Sequence, residues 1–423
     1  MLALEISPHL PADCRPRSQQ PTAEDLCIQT PSVTAEDSNE TVMEIFSKYR
    51  DLTSLPVIED GIPIGLINRG IFLSQMSKPF RKEVYSRKSS IAFMDKEPLV
   101  VEADMDIESL TFKAVEYGEK ALADGFIITR GGRFAGVGHG LQLMRVVADM
   151  QAARNRQIMQ SIEYASVIQR SMLRTSRDTM LHTLEDADLV WEPRDLVGGD
   201  FYYFVARSDG WFGAVADCTG HGVPGAFMTL IASSCLAQAI DQHGPADPAL
   251  LLGSVNCGIK QMLGQVGGQD ETPESDDGMD AACFWYDIAT RRLIFAGAKT
   301  SLFVLHPGGD GVEMVDGDRK CVGYVDSELD FTWQKRAVQM QAGSLVFVTT
   351  DGLVDQVGGP KSIAFGKRRI RDLILANRDR PSSEINRAVQ QAISEWQGPN
   401  HRRDDVTFFC FRVQEAQRTN QAS

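Results

Sequence analysis

The sequence has no cysteine pair at CxxC spacing and no zinc-type arrangement. Its eight cysteines are scattered at positions 14, 27, 218, 235, 257, 283, 321 and 410. This distribution favours a reduced, cytoplasmic protein over one held together by disulfides or zinc. Basic residues are also in deficit, 43 against 57 acidic ones, which gives a net charge of −14. That balance argues against a nucleic-acid surface and against binding to an anionic membrane.

Targeting and membrane-spanning segments are not predicted either. The N-terminus has Pro8, Pro11 and acidic residues where a signal peptide needs a basic segment and an apolar core. We find no stretch that reaches the roughly twenty apolar residues of a membrane-spanning helix. A chain of 423 residues with 43% hydrophobic content has room for two or three domains, each with its own core. We therefore expect a cytoplasmic protein that does not act at a membrane.

Four short motifs each place an aspartate beside small residues at the edge of an apolar run. A lone Asp-Gly pair is typical of a turn, but three of these four stand at the ends of predicted strands. Carboxylate oxygens are the ligands that Mg²⁺ and Mn²⁺ prefer, and paired ions lie roughly 3.5–4 Å apart in sites that hydrolyse phosphate esters. The sequence therefore predicts a metal-dependent phosphate-ester hydrolase. The motifs are GGDF (198–201), ADCTGHG (216–222), TTDG (349–352) and RDDVT (403–407).

These motifs, in this order and spacing, resemble the PPM-type metal-dependent serine/threonine phosphatases over residues 181–414. Within that family they match the branch typified by the stage II sporulation (SpoIIE) and regulator-of-sigma-B phosphatases. Further segments are similar to the SiaA-like subgroup, which removes phosphate from a small partner protein. The resemblance implies an α/β (α+β) fold, the PPM α-β-β-α sandwich. It also implies a protein-serine/threonine phosphatase acting on phosphoserine or phosphothreonine of a small regulatory protein in a bacterial partner-switching pathway.

The resemblance also implies a site for two Mn²⁺ or Mg²⁺ ions, with Asp217 bridging both. In this scheme a water between the ions, its pKa lowered, attacks phosphorus in line, and Asp217 and Asp351 are the central catalytic residues. Asp404 is preferred over Asp405 because the family pattern places its ligand at the first residue of that pair. The implied metal ligands are Asp200 and the main-chain carbonyl of Cys218 in the second site, Asp351 and Asp404 in the first, and Asp217 in both.

Three further residues near the motifs each allow two interpretations. His221 would act as a general acid or support its loop; loop support is preferred, because it follows the bridging aspartate by four residues and not by two, as in eukaryotic members. Asp280, where many members have threonine, would add or tune a metal ligand or form a turn. Lys299 ends a Gly-Ala-Lys segment where many members have Gly-His. It would contact the substrate phosphate or simply lie on the surface.

The first 150 residues contain a disordered-type segment and then two similar halves. Residues 1–39 are rich in Pro, Ser, Thr, Gln and acids, and we expect them to be disordered. Over residues 40–150, two hairpin patterns recur some seventy residues apart, with turns at Asp60-Gly61 and Gly131-Gly132. This repeat resembles a tandem cystathionine-β-synthase (CBS) module. Nucleotide-binding members usually have an aspartate after the second strand, where this chain has asparagine and glycine, so both a nucleotide sensor and a protein-contact module remain open.

Between the two regions, residues 151–180 form a predicted helical linker. Ile158, Ile162, Ala165, Ile168 and Met172 recur at spacings of four and three, which gives one apolar stripe. The stripe would join two copies of the chain in a homodimer or pack on its own domain; both interpretations stand. After the phosphatase-like region, residues 415–423 form a polar tail.

Two other functional classes are considered. GGDF also occurs as part of the diguanylate cyclase signature, but that signature needs an acidic residue directly after the aspartate, and here Phe201 follows. The cyclase interpretation also leaves TTDG and RDDVT unexplained. A phosphatase-like signalling scaffold with weak turnover is the second alternative. Phosphate release that requires Mn²⁺ or Mg²⁺ would distinguish a phosphatase from both.

Overall fold

The computed structural model describes residues 20–266 and 275–414. These belong to two compact units, Met1–Gln157 and Ile158–Ser423. The predicted polar tail, 415–423, and residues 1–19 of the expected disordered segment lie outside the described residues. The boundary between the units, Gln157/Ile158, lies within the predicted helical linker 151–180.

The first unit contains the two predicted hairpins in similar surroundings. In one half Val33 bridges in parallel to Val57, and in the other half strand β3 pairs in parallel with β4. Both hairpins also carry a register shift, between Val57 and Ile58 and between Ile128 and Thr129. The repeat of two α/β halves is therefore confirmed. The strands are β1 (Ser54–Glu59), β2 (Ile62–Asn68), β3 (Val100–Glu102), β4 (Phe126–Arg130) and β5 (Arg133–Gly138); the helices are α1 (Asn39–Lys48), α2 (Arg69–Met76), α3 (Arg81–Tyr85), α4 (Ile107–Tyr117) and α5 (Glu119–Asp124).

The expectation of disorder up to residue 39 is wrong for residues 20–39. A short 3₁₀ helix, Ala23–Leu26, is buried against the second half of the unit. Ile28 exchanges backbone hydrogen bonds with Val137 at 3.0 Å, and Val33 is buried beside β1. The apolar residues of this segment, among them Leu26, Cys27, Ile28 and Val33, are few and follow neither a helical nor a strand period, so they gave no pattern to detect. They are ordered because the rest of the unit supplies the surface that covers them.

The second unit is a sandwich of two five-stranded antiparallel sheets. Sheet I has the order β13-β10-β9-β8-β7, and sheet II has the order β12-β11-β14-β17-β6. The strands are β6 (Ala187–Glu192), β7 (Asp200–Ala206), β8 (Gly210–Cys218), β9 (Met279–Asp287), β10 (Arg292–Ala298), β11 (Leu302–Leu305), β12 (Glu313–Val315), β13 (Arg336–Gln339), β14 (Leu345–Thr349) and β17 (Val406–Arg412), with β15 (Val357–Gly358) and β16 (Ile363–Ala364) forming a small separate ribbon.

Aromatic residues fill the space between the sheets. Phe284 of β9 stacks on Phe409 and Phe411 of β17, and Trp211 of β8 meets Phe411 edge-on with ring centroids 5.0 Å apart. Helices cover the outer faces, one pair on sheet I and another on sheet II. The predicted α-β-β-α sandwich is confirmed. The helices are α6 (Gly140–Thr183, shared with the first unit), α7 (Gly222–His243) and α8 (Pro248–Met262) on sheet I, then α9 (Asp351–Asp355), α10 (Gly366–Ala376) and α11 (Ser382–Gln397).

Helix α7 differs from the sequence expectation in one respect. By length and composition alone it could cross a membrane, whereas we expected no such stretch. In the structure α7 packs on β7, β8 and α8. Met228, Ala232 and Leu236 are buried in the core of the second unit, so core packing accounts for its apolar sequence.

Helix α6 confirms the predicted long linker helix but not all of the predicted stripe. Within the second unit, the buried face consists of Ser166, Gln169, Leu173, Ser176 and Met180. Of the predicted stripe, Met172 packs on the core, whereas Ile158 and Ile168 remain 50% and 48% exposed. Part of this buried face is polar. Its glutamine, Gln169, can be buried because its amide has buried hydrogen-bond partners. An apolar period could not reveal such a face.

Candidate active site

The four motif aspartates come from both sheets. Asp200 begins β7 and lies directly opposite Asp217, near the end of β8, in sheet I. Asp351 follows β14 and begins α9, while Asp404 lies just before β17; β14 and β17 are neighbours in sheet II. The sequence placed these residues at strand ends, and the structure agrees. Two carboxylates from each sheet therefore approach one another at one end of the sandwich.

Asp217 and Asp351 lie close enough across this gap to interact electrostatically. Burial, together with the negative charges of Asp200 and Asp351, raises the pKa of Asp217 well above its usual value. Burial also raises the pKa of Asp351. Within residues 20–266 and 275–414, no three acidic, thiol or imidazole side chains are arranged closely enough to hold a metal ion. The predicted ligands would therefore have to move closer together to hold a cation.

Asp200 is the most deeply placed member of the cluster. It is fully buried, and burial raises the pKa of its carboxyl well above the usual value. Thr350 donates a 2.8 Å hydrogen bond to Oδ2, while Oδ1 is buried without a partner. An unpartnered carboxylate oxygen in a buried site is costly. Coordination of a divalent cation would satisfy it, so the donor set fits hard cations.

The neighbouring residues Asp404 and Asp405 have different environments. Asp405 is buried and accepts the backbone N–H of Arg194 at 2.5 Å and that of Gly199 at 2.6 Å. Asp404 is half-buried, and its Oδ1 accepts the N–H of Asp405 at 2.9 Å. Both oxygens of Asp405 are thus engaged in fixing the GGDF loop. This arrangement supports Asp404 as the ligand of the pair.

Two glycines allow the loops to come this close. A Cβ on Gly199 would lie 2.3 Å from the carbonyl oxygen of Gly220 and 2.8 Å from that of Cys218. A Cβ on Gly352 would lie 1.9 Å from the carbonyl oxygen of Asp405. Any side chain would therefore push the loops apart. The short distance from Gly199 to the Cys218 carbonyl also places this carbonyl, a predicted ligand, beside the GGDF motif.

Gln169 on helix α6 is a site residue that the sequence did not reveal. Its Nε2 donates to the carbonyl of Gly198 at 2.7 Å and to Oγ1 of Thr229 at 3.1 Å, while its Oε1 accepts the N–H of Gly198 at 3.1 Å. The amide thus fixes the residue two positions before Asp200. A single buried glutamine on a helix has no sequence signature; only its position on the core-facing side, four residues before Leu173, hints at it.

His221, Asp280 and Lys299, which each allowed two interpretations, have different surroundings in the structure. His221 precedes α7, and its Nδ1 lies 3.0 Å from Oδ2 of Asp195, outside the predicted ligand set; this contact supports a loop role. Asp280 of β9 lies directly opposite Asp217, and its Oδ1 is buried without a partner. Lys299 follows β10 and interacts with Asp280. Lys299 therefore lies beside the site and not on a remote surface.

This chain is similar in sequence and structure to known phosphatases. The sequence profile of the stage II sporulation protein E (SpoIIE) family matches residues 207–414. The solved SiaA-PP2C domain of Pseudomonas aeruginosa is 36% identical, covers 62% of this chain and 100% of its own, and has a TM-score of 0.55. The chain belongs to the SpoIIE family of PPM phosphatases. It is accordingly a protein-serine/threonine phosphatase of a metal-dependent class, as the four motifs predicted.

A second family profile and a further solved structure are similar to parts of this chain. The profile of the CBS domain matches residues 23–78, which begins before residue 40 and agrees with the order seen there. The SpoIIE phosphatase domain of Bacillus subtilis, solved with a fragment of its regulatory domain, is 18% identical, covers 54% of this chain and 61% of its own, and has a TM-score of 0.43. Among curated proteins none matches this chain. Membership of the SpoIIE family accounts for GGDF, so the cyclase alternative is not retained.

Proposed function

We propose that this SpoIIE-family phosphatase hydrolyses phosphoserine or phosphothreonine on a small regulatory protein of a bacterial partner-switching pathway. The observation that carries the chemical part is the buried, unpartnered Oδ1 of Asp200, which lies in the same cluster as its cross-strand neighbour Asp217 and Asp351. Carboxylates brought together in this way are unstable when all are ionised. They gain most from a compensating positive charge.

The proposed cofactor is a pair of Mn²⁺ or Mg²⁺ ions. Asp217 would contact both ions, and the assignments follow the family resemblance together with the positions described above. Asp200 and the carbonyl of Cys218 would hold one ion, and Asp351 and Asp404 the other. When bound, the ions supply the charge that neutralises the phosphoryl oxygens and activate the attacking water.

The chain itself contributes positioning and proton handling. Thr350 orients Asp200 through Oδ2 and leaves Oδ1 available. Asp405 and Gln169 fix the backbone on both sides of Gly198 and Gly199. Because burial raises the pKa of both Asp217 and Asp351, any proton that either carboxyl holds must leave before it can act as an anionic ligand. A covalent enzyme intermediate is not required in this scheme.

The regulatory part of the proposal concerns the first unit and helix α6. A CBS-type unit joined by one continuous helix to a phosphatase suits a signalling enzyme whose output is controlled. We propose that the enzyme is a homodimer joined through α6. The support is the set of large apolar side chains that this helix leaves exposed, among them Ile158, Tyr164, Val167 and Ile168.

A decisive experiment measures phosphate release from a phosphothreonine peptide by the purified protein with Mn²⁺, with Mg²⁺ and with a chelator. Activity is expected only with a divalent ion. Asp217→Asn and Asp351→Asn should each lower kcat by at least about 10³-fold, because a charged ligand is lost where transition-state charge is stabilised. Both should remain folded, since each removes a charge from a crowded cluster.

The matched control is Asp287→Asn at the opposite end of β9, where the carboxylate accepts the N–H of Thr290 at 2.8 Å. It should retain wild-type turnover. Wild-type rates in Asp217→Asn would contradict the proposed site. Absence of metal-dependent turnover in the wild type would favour the signalling-scaffold alternative.

A further inference from the structure

A second polar cluster adjoins the predicted metal ligands on the β9 side. Asp280 is the direct cross-strand neighbour of Asp217, and side chains in such pairs have Cβ atoms about 4.5–5.5 Å apart. The charge of Asp280 also acts on Asp351. The cluster includes Lys299 and Cys321, both of which interact with Asp280. It is therefore one side chain away from the carboxylates of the active site.

The backbone of Lys299 has a conformation that is uncommon for a long side chain. Its φ is +54°, in the left-handed region, where glycine and asparagine are favoured. Two contacts enforce this conformation: the Lys299 N–H donates to the carbonyl of Asp318 at 2.7 Å, and the residue bridges to Ala281 at the start of β9. A lysine in this strained conformation therefore points to a use for its ammonium.

The ammonium of Lys299 has neighbours in this cluster but keeps N–H donors for a ligand. It is attracted by Asp280, the cross-strand neighbour of Asp217, and Cys321 interacts with both Lys299 and Asp280. Nearby, Thr219 donates a 2.7 Å hydrogen bond to the hydroxyl of Tyr324. That contact ties the segment carrying Cys321 to the loop just after Asp217. A lysine ammonium has three N–H donors, and the residue as a whole is exposed, so donors remain for a ligand.

We propose that Lys299 binds the phosphoryl group of the substrate, and that Asp280 and Cys321 position its ammonium for this contact. The inference rests on the proposed metal-dependent phosphatase function. Four aspartate carboxylates and two divalent cations cancel in formal charge, so the site alone offers a phosphoryl dianion little net attraction. A lysine beside the metal ligands supplies a point charge of the required sign.

The test uses the full-length protein with Mn²⁺, p-nitrophenyl phosphate as substrate and inorganic phosphate as a competing ligand. Lys299→Asn should raise the inhibition constant of phosphate and the KM roughly tenfold or more, as for loss of one charge-assisted hydrogen bond. Its melting temperature should be unchanged or higher, because asparagine adopts the left-handed conformation more readily. Lys299→Arg should keep phosphate affinity within a few-fold of wild type.

The matched control is Lys335→Met, which removes a lysine that pairs with Asp247 at 2.8 Å elsewhere in the same unit. It should leave both constants unchanged. Wild-type phosphate affinity in Lys299→Asn would overturn the inference, as would a parallel loss of Mn²⁺ affinity or of melting temperature. If the wild type itself shows no metal-dependent hydrolysis, the proposed function fails first, so the two failures are distinguishable.

Discussion

At the scale of single residues, Asp404 and Asp405 are adjacent in sequence yet have different tasks. Asp405 binds two backbone N–H groups, whereas Asp404 acts electrostatically on Asp217 and Asp351. Asp405→Asn should destabilise the protein by about 1–3 kcal/mol. The asparagine amide has only one oxygen, so one of the two backbone N–H groups would lose its acceptor. Asp404→Asn should weaken Mn²⁺ binding with little change in stability. Chemical denaturation and calorimetric titration with Mn²⁺ measure the two effects.

The matched comparison is internal, since both variants make the same chemical change one residue apart. If Asp404→Asn lost stability and Asp405→Asn lost only metal affinity, the two roles would be exchanged. Sequence alone could not separate these residues except through the family pattern. The distinction depends on which carboxylate meets Gly199, a contact between positions 206 residues apart.

The raised carboxyl pKa values predict a specific pH dependence. In the metal-free protein, burial and neighbouring charge raise the pKa of Asp217 above its ordinary value of 3.8. A raised carboxyl pKa contributes stability that is present below that ordinary value and is lost as pH rises through the folded-state pKa. Relative to Asp217→Asn, the metal-free wild type should therefore lose melting temperature as pH increases from about 5 to 8.

Saturating Mn²⁺ should reverse this trend, because cations bind the ionised carboxylates and compete with protons. The Mn²⁺-induced rise in melting temperature should grow with pH in the wild type and should be much smaller in Asp217→Asn. Thermal unfolding at several pH values, with and without Mn²⁺, provides the measurement. A Mn²⁺ effect independent of pH would contradict the raised pKa of Asp217.

At the scale of elements, helix α6 presents two chemically different faces. One face is buried and partly polar, with Gln169 hydrogen-bonded to Gly198. Another leaves Ile158 half exposed, and Ile162 lies at its border. Replacing both isoleucines by aspartate should dissociate the proposed dimer and change the phosphatase rate without altering a predicted metal ligand. Light scattering at micromolar concentration and steady-state kinetics test this expectation.

A suitable control is Val115→Asp on α4, where the wild-type side chain is also exposed. This variant should keep the mass and rate of the wild type. A monomeric wild type, or an Ile158/Ile162 double variant with unchanged mass and rate, would exclude dimerisation through this helix. Membership of the SpoIIE family does not decide whether the exposed apolar residues of α6 join two copies of the chain or pack within one chain.

Elements with a regular pattern were predictable from the sequence, and elements without one were not. The hairpins at Asp60-Gly61 and Gly131-Gly132, the strands ending near Asp217 and Asp351, and the long α6 all follow from periodicity and turn residues. The ordered structure of residues 20–39 could not be predicted in this way, since it depends on a few apolar side chains that pack on distant strands. The buried face of α6 was missed because hydrogen bonding, and not hydrophobicity, selects Gln169.

At the scale of the whole molecule, a CBS-matching region and a phosphatase domain occur in one chain. If the enzyme controls a regulatory protein, deletion of its gene should increase phosphate occupancy at a serine or threonine of a small protein. Quantitative phosphoproteomics of the deletion strain measures this change. Complementation with the wild type should reverse it, and complementation with Asp217→Asn should not. No gain at any serine or threonine would contradict the proposed substrate class.

The position of strand β17 has a consequence for how the enzyme is made. It is the last strand within residues 20–266 and 275–414, yet it lies between β14 and β6 inside sheet II. Until it emerges from the ribosome, β6 lacks its partner, and Asp404 and Asp405 are not yet available to complete the site. Synthesis proceeds from the N-terminus, so an incompletely translated chain would already contain the first unit and α6 but could not dephosphorylate anything. Sheet II and the predicted site would thus be completed together, when β17 pairs with β14 and β6.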